Sequence, residues 1–255
     1  MIIILSSAKT LDISCKNKDL TKRTAPVFEE QTKYLHSLLK NYNISELAEL
    51  MSISPKLADY NFSAIQNRED VYNENNSVQS IIAYKGDVFR AAKFSEYKKE
   101  DFEFAQKHLR IISGLHGILR PFDTIQPYRL EFAIALKNNK GNDLYKFWCD
   151  KIAEQINTDL NSLKQRIVVN LASKEYSKAA ITSKLNAKVL DIHFKEERDG
   201  ELKIISLNAK KARGLMTSFI IKNRLTEIEQ FKGFNQDNYF FDNSLSSENS
   251  FVFIR

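Results

Sequence analysis

Residues 102–130, FEFAQKHLRIISGLHGILRPFDTIQPYRL, combine a helical pattern with two glycines and two prolines. Apolar side chains recur at intervals typical of a helix with one buried face, at Phe102, Ala105, Leu109 and Ile112. Lys107 and Arg110 share a different face and are candidate ligands of a DNA phosphate. We therefore predict a basic amphipathic helix that ends at the glycines.

Two glycines and two prolines follow this predicted helix. The whole chain has only seven Gly and four Pro, and this segment holds Gly114, Gly117, Pro121 and Pro127. Glycine permits positive φ and a close approach of the backbone to a ligand. Amides exposed at such a turn suit a phosphate, and three cationic side chains flank them: Arg110, Arg120 and Arg129.

The first hypothesis is that this segment binds a nucleic-acid backbone through a helix-hairpin-helix-like turn. The likeness to that motif is partial, because two residues, Leu115 and His116, separate the glycines where the motif usually has one. The prolines would also keep a second helix short. The alternative is that Gly114 only caps a helix and that the arginines are solvated.

Length and composition predict one compact domain over residues 1–255. The chain is 43% hydrophobic, enough for a full core, and contains no Pro-, Gly- or Ser-rich linker and no internal repeat. The apolar run at residues 2–5 is too short for the core of a signal peptide, and no segment approaches a membrane span. We therefore expect a cytoplasmic protein with no membrane partner.

The positive charge of the chain is concentrated in one stretch. Thirty-eight Lys+Arg against 32 Asp+Glu give a net charge of +6, which by itself does not imply a nucleic-acid partner. Residues 203–224, KIISLNAKKARGLMTSFIIKNR, contain six basic residues and no acid. Three of the six, Lys210, Lys211 and Arg213, lie together and are candidate anion ligands.

Two lysines are predicted to lie at the ends of buried strands. MIIIL at the N-terminus is typical of a buried strand, and SSAKT follows at its carboxyl end, where α/β proteins usually bind ligands. Lys9 is therefore a candidate anion ligand. Residues 80–84, SIIAY, predict a second buried strand that ends at Lys85, and Asp87 then caps a short helix or acts as a general acid or base.

The second half of the chain completes a mixed α/β fold, with a central mixed sheet surrounded by helices. Residues 130–136 alternate as a half-buried strand does, with Arg129 and Glu131 on one side. These two form an ion pair, or Glu131 acts as a general base. Further strands are predicted at 166–172, 187–194 and 203–207, a helix at 215–225 after Gly214, and a β-hairpin at the C-terminus.

The potential metal ligands are scattered along the chain. The two cysteines, Cys15 and Cys149, have no metal-ligand spacing, and the four histidines form no HExxH-like pair. We expect no dedicated metal site and no cofactor.

A series of short signatures resembles the YaaA family of bacterial peroxide stress proteins over nearly the whole length. They are SSAKTLD (6–12), YKGDVF (84–89), FAQKHLRIISGLHGILRPFD (104–123), QPYRLE (126–131), DLYKFW (143–148), VNLAS (169–173), NAKKARGLM (208–216), GFN (233–235) and YFFD (239–242). Ser7 departs from the family pattern, which has Pro, and His116 stands where the family often has Tyr.

This resemblance implies a single-domain α/β fold with a helix-hairpin-helix-like element beside a basic cleft. It also implies binding to duplex or distorted DNA, and a role in limiting oxidative DNA damage and free intracellular iron. No iron site is visible in the sequence, so an effect on iron would be indirect. The resemblance assigns to the cleft and hairpin Lys9, Arg110, Gly114, Gly117, Arg120, Arg129, Lys210, Lys211 and Arg213.

Two functions from different classes follow. The leading one is a sequence-nonspecific DNA-binding protein that contacts phosphates, with no dedicated protein partner. The other is an enzyme that acts on a nucleotide or nucleobase in the same cleft. Its acid or base would be Glu131 or Asp87, and its anion clamp would be Lys9, Lys85 and Arg129.

Overall fold

A computed structural model of the protein describes all residues, 1–255. The strands are β1 (Ile2–Ser6), β2 (Val78–Gln79), β3 (Leu109–Ser113), β4 (Gly117–Leu119), β5 (Thr124–Ile125), β6 (Ile167–Asn170), β7 (Lys188–Arg198), β8 (Glu201–Lys203), β9 (Phe240–Ser247) and β10 (Ser250–Ile254). The helices are α1 (Glu29–Lys40), α2 (Ile44–Met51), α3 (Pro55–Gln66), α4 (Ser80–Ala83), α5 (Asp87–Ala92), α6 (Lys99–His108), α7 (Leu144–Trp148), α8 (Lys151–Leu160), α9 (Lys174–Ala180) and α10 (Ser206–Lys222).

Eight of the strands form one mixed sheet, in the order β4-β3-β1-β6-β7-β10-β9, with β8 paired to β7. The five strands from β3 to β10 in this order are mutually parallel, and β4 and β9 are antiparallel to their neighbours. The strands β2 and β5 form a separate antiparallel pair. The predicted mixed α/β fold is therefore confirmed, as is the C-terminal hairpin of β9 and β10.

The strand β1 lies in the middle of the sheet because its apolar run can be buried on both faces. Ile3 and Leu5 belong to the hydrophobic core on one face, and Ile2 and Ile4 belong to the core on the other. Side chains alternate across a strand, so a continuous apolar run supplies both layers at once. Polar residues begin at Ser6, where the strand leaves the core.

The chain order opens a crevice between β1 and β6. The connection after β1 leads to β3 on one side, whereas the connection after β6 leads to β7 on the other side. Loops that leave two adjacent parallel strands in opposite directions separate at the carboxyl edge, where α/β proteins place their ligands. The sheet topology thus fixes where the candidate site lies.

The prediction of a helix-hairpin-helix-like element within residues 102–130 is wrong. The helix α6 ends at His108, and the next five residues form β3, which is buried beside β1. The turn then leads into β4, which pairs with β3 in antiparallel fashion. The apolar residues within 109–113, LRIIS, are compatible both with one face of a helix and with a buried strand. Because these residues pair with β1, they form a strand.

The glycines of this turn serve packing inside the protein. Gly117 has a φ of 69°, which favours glycine, and a Cβ at this position would lie 2.6 Å from the Trp148 ring. A Cβ at Gly114 would lie 2.3 Å from the carbonyl oxygen of Leu130. Both glycines are buried. Their open backbone therefore faces neighbouring parts of the chain and not a surface ligand.

Three further sequence predictions are corrected. Residues 80–83 form α4 instead of a strand. Residues 130–136 form no strand, although burial does alternate from residue 132 to residue 136. The segment predicted as a strand at 203–207 is split between β8 and α10, which starts at Ser206. In the first two cases the apolar pattern did correspond to burial, and the neighbouring elements decided the backbone conformation, whereas residues 203–207 are largely exposed.

The helix α10 runs through Gly214, which had been predicted to precede it. A Cβ at Gly214 would lie 2.1 Å from the carbonyl oxygen of Val88, so the glycine lets α10 contact α5 closely. This contact carries Lys210 and Arg213 to the segment that holds Lys85. None of the helices is both long enough and apolar enough to cross a membrane.

Candidate functional site

A cavity of about 400 Å³ occupies the crevice between β1 and β6. Its lining comes from residues 6–10 after β1, residues 85–90, four residues after β6, and two residues of α10. Ser6 and Ser173 join the two strand ends: the Ser173 N–H donates to Ser6 Oγ at 2.9 Å, and the two hydroxyls lie 3.2 Å apart. The volume is in the range of about 300–1,000 Å³ that is typical of small-molecule sites.

Five cationic side chains line this cavity, and we call them the crevice cations: Lys9, Lys85, Arg90, Lys210 and Arg213. The acids in the lining are Asp87 and Glu175, so five positive and two negative charges leave an excess of three. Arg90 pairs with Asp87 at 2.7 Å, three residues earlier on α5. The cavity therefore attracts anions.

Lys9 is positioned by a buried carboxylate. Its ammonium lies 3.0 Å from Glu131 Oε1, and the Arg129 guanidinium lies 3.0 Å from the same oxygen. The Glu131 side chain is only 8% exposed, whereas the Lys9 side chain is 65% exposed. Because Glu131 is held between two cations behind Lys9, its evident role is to position that lysine at the cavity.

Arg213 and Lys210 project from α10 and have no carboxylate within 4.0 Å, and neither does Lys85. Burial lowers the pKa of the Arg213 guanidinium, but arginine remains protonated in proteins. A partly buried cation without a paired carboxylate binds an anionic ligand more favourably than a fully solvated cation does. At these three cations, no carboxylate of the protein competes with a ligand.

Buried hydroxyl groups lie beneath the cavity. Tyr84 and Tyr128 place their hydroxyl oxygens 2.5 Å apart, and Ser113 Oγ lies 2.7 Å from the Tyr128 hydroxyl. Tyr176 lines the cavity itself. Burial raises the pKa of each of these three tyrosines, so their hydroxyls stay protonated at neutral pH and available as hydrogen-bond donors.

Several predicted site residues lie outside this cavity, and two of the arginines are engaged within the fold. Arg110 is buried, contacts Asp159 at 2.6 Å and donates to two backbone carbonyls. Arg120 pairs with Asp123 at 2.8 Å and donates to the Ala25 carbonyl. Their interactions hold the protein together, which corrects the expectation that both flank an exposed amide turn.

The other predicted ligands outside the lining are Lys107, Lys211, Arg129, Gly114 and Gly117. Lys107 lies in the last turn of α6. Burial and, to a smaller extent, the charge of Lys107 lower the pKa of the Met1 amino group, which precedes β1 at the edge opposite the crevice. Lys211 is exposed on α10 beside the cavity lining. The structure thus brings together Lys9, Lys85, Asp87, Lys210 and Arg213 among the residues named from sequence.

Sequence reasoning missed Arg90, Glu175 and Tyr176. Arg90 carried a usable signal, because it lies one helical turn after Asp87. Glu175 and Tyr176 follow β6, and the strand-end argument applied to β1 would have selected them as well. No group of three or more His, Cys, Asp or Glu side chains is arranged to hold a metal ion.

A comparison with protein families bears on this geometry. The family model described as peroxide stress protein YaaA matches residues 1–245, which is nearly the whole chain. The match includes the segments after β1, after β6 and on α10 that form the crevice. The chain therefore belongs to the YaaA family of peroxide stress proteins.

Proposed function

We propose that the protein acts in peroxide stress by binding the phosphate backbone of DNA at the crevice, which limits oxidative damage to DNA and, indirectly, free intracellular iron. The observation that carries this proposal is the convergence of the crevice cations from three separate parts of the chain. A net excess of three positive charges at one edge of the sheet suits a polyanion. The family membership supports the cellular context.

Binding of this kind would be insensitive to sequence. Phosphate contacts give affinity and orientation but carry no base information. The cavity is far too small for a duplex, so the duplex would lie across its mouth, where Lys9 is exposed and Lys210 and Arg213 have no acidic partner. Neutralising about five phosphates would give a slope of roughly −4 to −5 for log K against log salt.

A salt titration of DNA binding tests this proposal. Lys210→Ala should reduce the magnitude of the slope by about 0.9 and weaken binding to all sequences alike. The matched control is Lys107→Ala, which removes the same charge at the opposite edge and should leave the slope unchanged. The double variant Lys210→Ala/Lys211→Ala shows whether the neighbouring lysine adds a contact.

Two results would count against DNA binding at the crevice. One is an almost flat dependence of binding on salt. The other is an equal loss of binding in Lys107→Ala and Lys210→Ala, because that would assign the interaction to overall charge.

A second candidate function is catalysis on a nucleotide or nucleobase inside the cavity. The observation that favours it is the cavity of about 400 Å³, which is lined by both Lys9 and an acid, Asp87. Asp87 is the better acid or base of the two proposed, because it lines the cavity and pairs with Arg90 alone, whereas Glu131 lies outside the lining and is held by both Lys9 and Arg129. Nucleoside monophosphates and free bases should then raise the melting temperature, and failure of all of them to do so would argue against it.

A further inference from the structure

Cys15 and Lys85 form a close pair beside the crevice. Lys85 Nζ lies 2.6 Å from Cys15 Sγ, and Asp12 Oδ2 lies 3.2 Å from the same sulfur. The two side chains line a second cavity of about 360 Å³, which shares Lys85 and Arg90 with the crevice. A small oxidant can therefore reach the sulfur.

The backbone holds these two residues together. The Asp12 N–H donates to the Ala83 carbonyl at 2.9 Å, and the Lys85 N–H donates to the Thr10 carbonyl at 3.0 Å. Residues 10–12 thus run beside residues 83–85, and the short segment that follows carries Cys15 to Lys85. Cys15 is in no disulfide, and the other cysteine, Cys149, is exposed.

The distance of 2.6 Å between Lys85 Nζ and Cys15 Sγ can be compared with the lengths of a hydrogen bond and of a covalent bond. An N–H···O hydrogen bond has a donor–acceptor distance of about 2.9 Å, and sulfur is larger than oxygen, so 2.6 Å is short for a hydrogen bond to sulfur. A direct S–S bond is about 2.05 Å long, and a direct N–S bond is shorter because nitrogen is smaller than sulfur. Two single bonds of about 1.5 Å that meet at about 111° span about 2.5 Å. The distance therefore suits nitrogen and sulfur joined through one intervening atom.

We propose that peroxide converts Cys15 and Lys85 into a covalent N–O–S crosslink, in which one oxygen atom bridges Lys85 Nζ and Cys15 Sγ. Formation of this crosslink does not depend on the proposed DNA binding, although Lys85 is also one of the crevice cations. The thiol, the neutral amine and two molecules of hydrogen peroxide give the crosslink and three molecules of water. Both oxidising equivalents come from peroxide, the stress that the family description names.

The reaction has two steps. In the first, the Cys15 thiolate attacks one peroxide oxygen, the O–O bond breaks, and a sulfenic acid and water form. In the second, the sulfenic oxygen bonds to Lys85 Nζ while a second peroxide accepts the electron pair and the two hydrogens and leaves as two waters. A lysine that starts as an ammonium also releases one proton to solvent.

The neighbouring groups favour the first step. Hydrogen bonds from Ser14 hold the pKa of Asp12 below its ordinary value, so Asp12 is a carboxylate that can accept the thiol proton. The Lys85 ammonium stabilises the resulting thiolate. Once formed, the crosslink replaces that ammonium, and the crevice loses one of its three cations without an acidic partner.

Peptide mapping of peroxide-treated protein tests the proposal. Trypsin should no longer cleave after Lys85, so residues 10–16 and 69–90 should appear as one crosslinked species. Its mass should exceed the sum of the two peptides by one oxygen less two hydrogens, and a thiol reductant should release both peptides. The crosslink should persist in Cys149→Ser and vanish in Cys15→Ser and Lys85→Arg.

Either of two outcomes overturns the proposal. A crosslink that lacks the added oxygen would show a direct S–N bond instead. Oxidation of Cys15 to a sulfinic acid, with normal cleavage after Lys85, would show that the lysine does not react. Both are read on the wild-type protein, so they do not depend on the folding of any variant.

Discussion

Glu131 is a single buried carboxylate that holds two cations, Lys9 and Arg129, at 3.0 Å each. Replacing it by Gln keeps the shape but leaves Arg129, whose side chain is 12% exposed, without its counter-charge. Breaking a buried ion pair typically costs about 3–5 kcal/mol. We expect Glu131→Gln to lower the free energy of unfolding by an amount near the lower end of that range, measured by urea denaturation.

The matched control is Glu103→Gln, which removes a carboxylate 3.7 Å from Lys22 at the protein surface. Exposed pairs of this kind contribute little, so its unfolding free energy should stay close to that of the wild type. Equal effects of the two substitutions would contradict a positioning role for Glu131.

Arg110 gives a second prediction at the same scale, because its sequence context suggested a phosphate ligand. In the fold it is buried against Asp159 at 2.6 Å. Arg110→Ala leaves Asp159 unpaired and should destabilise the protein by about 3 kcal/mol or more. The soluble, folded fraction of the variant should keep the salt slope of DNA binding, and a reduced slope would contradict a purely structural role.

Among the elements, the contact of α10 with α5 decides whether the crevice is assembled. It depends on Gly214, where a Cβ would lie 2.1 Å from the carbonyl oxygen of Val88. Gly214→Ala must separate the two helices, so we expect a loss of stability of about 1–3 kcal/mol, typical of overpacking, together with weaker anion binding. The readouts are urea unfolding and a phosphate-binding titration.

Gly233→Ala is the control for this element, because a Cβ there meets nothing within 4 Å. It should leave both stability and anion binding nearly unchanged. If Gly214→Ala also leaves both unchanged, the close helix contact is not needed to place Lys210 and Arg213.

At the scale of the whole molecule, the buried histidines make stability depend on pH. Burial, followed by the charge of Arg68, lowers the pKa of His36 to about 4, and burial also lowers the pKa of His108, His116 and His193. A lowered pKa means that the unfolded chain binds the proton first. The stabilisation is therefore complete above about pH 6.5 and is lost as the pH falls toward about 4.

We expect the free energy of unfolding to fall between pH 7 and pH 5.5, with His36 alone contributing about 1 kcal/mol. Urea denaturation at the two pH values measures this. His36→Gln, which can still donate to the Ile65 carbonyl that contacts His36 in the wild type, should show a shallower dependence. The same dependence in the variant would contradict the assignment.

The sequence predicted burial more reliably than backbone conformation. The prediction that MIIIL forms a buried strand is confirmed. A strand that is apolar at every position has apolar side chains on both faces, so it is fully buried only between two layers. Residues 109–113 and 80–83 are also buried, but here the predicted conformation was wrong. Short apolar runs do not distinguish helix from strand, and the neighbour that pairs with them decides.

By itself, the sequence determined the family signatures, the mixed α/β class, the buried β1 with Lys9 at its carboxyl end, and the excess of positive charge. Only the tertiary structure decided which cations meet. Lys9, Lys85, Lys210 and Arg213 come from distant segments that the sheet order and the contact of α10 with α5 bring to one edge, whereas Arg110 and Arg120 are neutralised within the fold. The physical reason is that the sequence fixes the charge of each side chain, whereas folding decides whether that charge is paired with a carboxylate or remains free to bind a ligand.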